Sequence, residues 1–374
     1  MKNLIFTILF FLFVKFSYAN TAYISSDGVG DGYDIERPAN LSELNRILTD
    51  PNIDNITLKA GTYYQTDTLF ISQGVNPVKV SGEGNVIITS DYHNGSGGSS
   101  GFIVARSNIS FANINFNNTR YCFRFKNYTA ENVSIEHIRA HNTMSCVEFD
   151  SGILANVSNI KINELTSIAY YKAGIRINGD TPKNITISNS RIDGSTLNLD
   201  SKKDCHVAGI SVSGSTKNIN IHDVSISNNI GGSSNCGTYQ QGDGIVVNSE
   251  VSGLSIKNVL VSNSRDADFD IKSQHTTLEQ IISLSGANNR HNLKLWYSNY
   301  SCRDCYIKAS KANSIQAIGS KIEFIDSVFE VSDILKVCDL RDRRGIMGSV
   351  RFSNTRQLDV QNLTAINDFI PDCI

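Results

Sequence analysis

The chain has 374 residues, 40% of them hydrophobic and 19% charged, with a formal net charge of -2. This composition excludes a disordered chain, and the lack of a basic surplus argues against a nucleic-acid partner. An anionic polysaccharide stays open, because a local basic cluster is enough to hold one.

Residues 1–19 read as an address. Lys2 precedes the short apolar run Leu4 to Val14, and Ser17-Tyr18-Ala19 fits a signal-peptide cleavage site after Ala19. The run is shorter than the roughly 20 residues a membrane span needs, and Lys15 interrupts it. No later segment is apolar enough to cross a bilayer, so a secreted or periplasmic protein without a membrane span is expected.

Residues 20–104 are expected to form an N-terminal cap and the first coils of a solenoid. Leu41, Leu44, Ile47 and Leu48 recur at helical spacing behind Asn40, a suitable N-cap. Short apolar runs at Ile56 to Leu58 and Val78 to Val80 start the coils, and the glycine-rich stretch Asn94 to Gly101 is a surface loop.

From residue 105 to 340 the sequence echoes itself. Asn108-Ile109-Ser110-Phe111, Asn132-Val133-Ser134-Ile135, Asn184-Ile185-Thr186-Ile187, Asn218-Ile219-Asn220-Ile221 and Gly253-Leu254-Ser255-Ile256 each place a turn residue before two alternating apolar positions. A second apolar pair follows, such as Ile114 and Phe116 or Val259 and Val261. After a variable loop comes a third, such as Val147 and Phe149, Ile245 and Val247, or Phe269 and Ile271. Short strands of period two in repeats of roughly 22 to 35 residues predict an all-β, right-handed single-stranded parallel β-helix with a short N-terminal capping helix. No unit buries its own apolar face, so the units stack and equivalent positions form ladders. The Leu-x-x-Leu-x-Leu pattern of leucine-rich repeats is absent. Triplets such as Asn108-Ile109-Ser110 have the form of glycosylation acceptors, but the preferred reading takes them as by-products of the repeat. Residues 341–374 are expected to be a last coil and tail, and a monomer is the expected state.

The 8 cysteines agree with export. Tyr121-Cys122-Phe123-Arg124-Phe125 aligns without a gap on Ser145-Cys146-Val147-Glu148-Phe149. A coil spacing of about 4.8 Å lies within disulfide reach, so Cys122 and Cys146 are either bonded or a reduced ladder. Cys205 with Cys236, Cys302 with Cys305, and Cys338 with Cys373 are the other expected pairs.

Outward positions of the third strand should floor a groove. With Phe269 and Ile271 inward, strict alternation sends Asp266, Asp268, Asp270 and Lys272 outward. Asp243 and Asn248 lie one coil earlier; Arg290, His291, Lys294 and Trp296 lie one coil later. Glu148, Arg176, Ser211, Val246, Asp270 and Lys294 form one column, with Arg176, Glu148, Asn248 and Trp296 as substrate contacts. Tyr170, Tyr171, Tyr239, Trp296 and Tyr297 are candidate sugar platforms. Clustered carboxylates repel and need neutralising. Lys272, Arg290 and Lys294 would do so in an ion-pair ladder; alternatively Asp243, Asp266, Asp268 and Asp270 would ligate Ca²⁺. β-Elimination on a uronate polymer needs the carboxylate neutralised, the C5 proton removed and the leaving oxygen protonated. Lys272 is the candidate base, assisted by Arg290, His291 and Lys294. Among bare carboxylates its pKa would rise, which suits a base only if calcium offsets that charge.

Two family resemblances follow. Tyr23-Ile24-Ser25-Ser26-Asp27-Gly28 with Lys59-Ala60-Gly61-Thr62-Tyr63 resembles the N-terminal region of secreted β-helix polysaccharide lyases. Asp266-Ala267-Asp268-Phe269-Asp270-Ile271-Lys272 resembles the strand that carries the catalytic lysine of calcium-dependent pectate lyases, and the Lys-Ser segment of alginate and chondroitin lyases. This implies Lys272 as base, Lys294 or Arg290 as the basic residue one coil on, and the four aspartates as calcium ligands. A weaker resemblance to polygalacturonases would place their motifs on Gln241-Gly242-Asp243-Gly244, Asp266-Ala267 and Arg290-His291-Asn292. Ala267 then replaces a carboxylate, and both glycines beside the histidine are missing. A hydrolase would still have Asp243 with Asp266 or Asp268. A non-catalytic glycan-binding surface protein is the alternative from outside enzymology.

Overall fold

The computed structural model describes residues 20–93, 95–195, 204–230, 241–284, 289–309, 313–331, 336–358, 365–367 and 372–373. The expected signal segment, Cys236 and Tyr239 lie outside the described residues.

The chain winds into a right-handed parallel β-helix with one short helix near its N-terminus. A 3-10 turn at Leu41–Glu43 runs into the helix Leu44–Ile47, and Asn40 caps it by accepting from the Ser42 N–H at 3.1 Å. Leu41, Leu44, Ile47 and Leu48 are buried, so the helix covers apolar surface at the open end of the stack.

Parallel pairing begins at once: Asn20–Ile24 pairs with Ile53–Leu58, which pairs with Val78–Gly82 and that with Ile109–Asn117. The described strands form a 19-stranded and an 11-stranded sheet. The expected first and second apolar pairs do not sit on separate strands. They lie on one long strand per coil, as in Ala130–His141 and Val157–Ile168. A left-handed residue midway bends each of these long strands: His137 (φ 51°), Glu164 (54°), Asn189 (49°), Asp223 (56°) and Asn258 (50°).

The asparagine that opens each repeat is also left-handed, a conformation that asparagine adopts at lower cost than most residues. Asn108, Asn132, Asn159, Asn184 and Asn218 have φ of 55–57°. From Asn132 onward, each side-chain amide donates to the side-chain oxygen of the asparagine one coil earlier, at 3.0–3.1 Å. The Asn-x-Ser/Thr triplets at Asn108, Asn132 and Asn184 therefore mark this ladder. Inside it, Ile109, Val133, Ile160, Ile185, Ile219 and Leu254 stack in register, none more than 2% exposed.

Cys122 and Cys146 form a disulfide between adjacent coils, with Cα atoms 4.7 Å apart. Cys302 is bonded to Cys305 and Cys338 to Cys373. Cys205 is disulfide-bonded as well. At the C-terminal end the chain reverses: Ala365–Asn367 runs antiparallel to Arg356–Leu358, and Cys373 bridges Val350 antiparallel. No helix among the described residues is long and apolar enough to cross a membrane.

Candidate active site

The 11-stranded sheet carries the outward column on which the groove floor was expected. Its register aligns Arg124, Glu148, Arg176, Ser211, Val246, Asp270, Lys294, Gln316 and Asp339 in one outward column. Acid and base alternate along part of it because neighbours neutralise each other. Arg176 is ion-paired to Glu148, and Arg124 donates to Asp150 at 2.8 Å. Glu148 is almost fully buried, and burial pushes its carboxyl above the usual range despite Arg176.

The strands do not alternate strictly, and this corrects the expectation for Asp268. Asp268 faces the interior and is 0% exposed. It accepts from Ser283 Oγ at 2.6 Å and Asn289 Nδ2 at 2.9 Å, and Asn292 Nδ2 donates to Ser283 Oγ at 2.7 Å. The backbone turns a corner here, so Asp268 and Phe269 both point inward. The same corner holds Gly209 and Gly244 in earlier coils. A Cβ at Gly244 would stand 2.1 Å from Val261 Cγ1, and one at Gly209 would stand 2.3 Å from Ile226 Cγ2. Burial pushes the Asp268 carboxyl up to about 7, against the hydrogen bonds from Ser283 and others that favour its ionised form.

The groove side of the corner holds Asp243, Asp266, Asp270, Lys272, His291, Lys294 and Trp296. Lys294 Nζ lies 2.9 Å from Asp266 Oδ2 and 3.6 Å from Asp270 Oδ2, while Lys272 Nζ lies 3.0 Å from Asp270 Oδ1. The Trp296 indole N–H donates to Asp270 Oδ1 at 2.8 Å, and Lys272 Nζ stands 5.5 Å from the Trp296 ring. Asp270 is thereby held by two ammonium groups and an indole.

Asp243, level with Ala267, accepts that residue's backbone N–H at 3.1 Å and is 1% exposed. Burial, then repulsion from Asp270 and Asp266, raises its pKa well above the carboxylate range; Lys294 and Lys272 offset only part of this. Burial disfavours the Lys294 ammonium, but Asp270, Asp266 and Asp243 outweigh it and raise its pKa. Burial lowers the pKa of His291. Its Nδ1 lies 2.8 Å from the Asn313 carbonyl, which can only accept, so Nδ1 carries the proton and Nε2 is the basic nitrogen.

The remaining expected contacts divide. Asn248 and Arg290 are exposed at the groove edges, and Arg290 makes no ion pair among the described residues. Tyr170 is 0% and Tyr171 2% exposed, so neither serves as a sugar platform: Tyr170 is a core side chain hydrogen-bonded to Asn229. Tyr297 is half-buried, with the Arg344 guanidinium 4.5 Å from its ring centroid. Sequence reasoning missed Asp150, Ser283 and Asn289, whose roles depend on neighbouring coils.

The acidic set does not fit a calcium ion. Lys294 and Lys272 already stand at Asp266 and Asp270, and Asp268 lies on the other side of the strand. Among the described residues no group of three or more His, Cys, Asp or Glu side chains is arranged to hold a metal.

No protein-family model matches the sequence, and no curated protein does. Solved structures do. A rhamnogalacturonan lyase matches at 13% identity and TM-score 0.54, over 90% of this chain and 87% of that one. The A-module of an Azotobacter vinelandii mannuronan C-5 epimerase matches at 13% and 0.52, over 90% and 96%. A Streptococcus pneumoniae surface protein and adhesin matches at 12% and 0.51, over 89% and 96%. The likeness is one of fold. This chain shares the parallel β-helix with proteins that act on polysaccharides and with an adhesin, and its disulfides suit a secreted protein.

Proposed function

We propose that this chain is an exported enzyme that cleaves a uronate-containing polysaccharide by β-elimination, with the groove floor at Asp243, Asp270, His291 and Lys294 as its site. One observation carries the reading. The floor combines ammonium groups with a histidine whose basic form burial favours and a carboxyl whose pKa burial raises. Those are the three requirements of elimination: a cation for the substrate carboxylate, a base for the C5 proton, and an acid for the leaving oxygen.

Lys272 changes role in this reading. Its ammonium is paired at 3.0 Å, so it is not a free base. Its side chain is 25% exposed against 12% for Lys294, which makes it the cation that exchanges Asp270 for a substrate carboxylate. His291 Nε2 takes the C5 proton, the electron pair forms the C4–C5 double bond, the C4–O bond breaks, and Asp243 protonates the departing oxygen. No metal enters this scheme. A hydrolase fits less well, because it needs two working carboxylates and Asp266 and Asp270 are both tied to lysines.

The test is the product. Acidic polysaccharides digested with the purified chain should yield an unsaturated end absorbing in the near ultraviolet. His291→Ala should lower kcat by roughly 10²–10⁴-fold, and Lys272→Ala should chiefly raise KM. New reducing ends without that absorbance would replace the lyase by a hydrolase. A non-catalytic glycan binder is the second reading, favoured by the near-complete enclosure of Asp243; binding without either product would establish it.

A further inference from the structure

A wide surface concavity lies on the other sheet. Two adjoining cavities of about 700 and 480 Å³ share Arg139, Thr166 and Arg191. Their floor is a second outward column on the long strands, just past the left-handed bends. Arg139 pairs in register with Thr166, Thr166 with Arg191, Arg191 with Ser225, Ser225 with Leu260, and Leu260 with Ile282. The column continues one coil earlier to Asn115. At about 4.8 Å per coil, Asn115 to Ile282 spans about 29 Å. That length suits a linear polymer laid along the axis and exceeds what a small molecule fills.

The charges on this face are sorted. The acids on the rim are engaged by neighbouring histidines: Glu164 Oε2 lies 2.6 Å from His137 Nδ1 of the preceding coil, and Asp223 Oδ2 lies 2.7 Å from His222 Nδ1. Asn258 Nδ2 also donates to Asp223 Oδ1 at 2.6 Å. The floor is basic. Arg139 is exposed and makes no ion pair among the described residues. Arg191 is 64% exposed and makes one 3.3 Å contact, to Asp193, which Asn228 Nδ2 already approaches at 2.9 Å. The two arginines stand on alternate coils, their backbones about 9.6 Å apart along the axis. Each is a planar fork suited to a carboxylate or sulfate. A polymer that turns an acidic group to the same side at every second sugar would meet them in step.

We infer that this face is a second, non-catalytic binding groove for a linear anionic polysaccharide. It shares no residue with the groove floor on the 11-stranded sheet, and it holds whether or not that floor is catalytic. A processive or surface-bound role follows: polymer held at Arg139 and Arg191 keeps the chain on a matrix while the other groove engages a separate segment.

The experiment compares the full chain with its Arg139→Ala/Arg191→Ala variant by affinity electrophoresis through gels of polygalacturonate, chondroitin sulfate, dextran or polyglutamate. All proteins carry His291→Ala, so that no polymer is cut. Both arginines are exposed, and an unchanged melting temperature checks the fold of the double variant. Polygalacturonate or chondroitin sulfate should retard the parent; the double variant should bind at least tenfold more weakly, and Arg139→Lys/Arg191→Lys should recover part of the loss. Dextran should retard neither. Retention of the double variant within twofold of the parent would overturn the inference. So would no retention of the parent by either anionic polysaccharide, or equal retention by polyglutamate. Absence of turnover in the wild type would sink the lyase reading and leave this result standing.

Discussion

Asp268 shows where residue-level reading fails and what would have rescued it. Alternation around Phe269 and Ile271 sends it outward. The ungapped ladder places it instead with Cys122, Cys146, Gly174, Gly209, Gly244 and Asn292, a column of small side chains that suits a crowded interior. Its proton then becomes a stability term. The folded pKa, about 7, stands above the ordinary 3.8, so the folded state holds a proton that the unfolded state has released. This contribution is complete below pH 3.8 and is lost as pH rises through about 7. At about 1.36 kcal/mol per pKa unit it amounts to roughly 4 kcal/mol at most. Asp268→Asn should flatten the fall in melting temperature between acidic and mildly alkaline pH; equal slopes would show that Asp268 does not titrate there. Lys294 supports a second prediction. Lys294→Gln removes the ammonium from Asp266 and Asp270 and leaves an acidic pocket. Calcium should then raise the melting temperature of the variant and not of the wild type. A calcium-dependent rise in the wild type would show that the lysines do not exclude the ion.

At the scale of single elements, the start of each repeat was legible because one residue type marks it. Asparagine recurs at positions 108, 132, 184 and 218, where the backbone is left-handed and the side chain has a neighbour to bond. The mid-strand bends were not legible, because His137, Glu164, Asn189, Asp223 and Asn258 share a conformation and not a side chain. That is why two apolar pairs looked like two strands. The groove column was readable because its register is locked by the inward ladder beneath it; the second face was not, because it only becomes concave once the strand bends. The asparagine ladder gives a clean test. Asn159 accepts from Asn184 and donates to Asn132, both at 3.1 Å. Asn159→Ala loses both bonds and keeps the left-handed backbone, at about 1–2 kcal/mol for the conformation and about 1 kcal/mol for each bond. Asn159→Gly loses the bonds alone. Urea unfolding should rank wild type above glycine above alanine; an alanine variant as stable as the glycine one would remove the backbone share of that account.

For the whole molecule, the central difficulty of a β-helix is its two ends, because every interior coil is paired on both sides. At the N-terminal end the helix behind Asn40 lays Leu44 and Ile47 over the first coil. At the other end the stack stops against chain that runs backward. Val350 and Cys373 exchange backbone hydrogen bonds at 2.9 Å in both directions, and Phe352 N–H donates to Asp372 Oδ1 at 3.0 Å. These few bonds hold an end segment in place because Cys373 is tied to Cys338 in the preceding coil of the 11-stranded sheet. Loss of that tie should cost about 2–5 kcal/mol. It should also let the segment leave the strand Ser349–Ser353 and expose an unpaired edge that templates strand addition. Cys373→Ser should therefore associate end to end as its concentration rises, seen as growing scattering mass, while a Cys302→Ser/Cys305→Ser variant should not, because that bridge closes a local turn within one coil. A Cys373→Ser protein whose mass stays constant with concentration would show that the backward-running segment caps the solenoid without its disulfide.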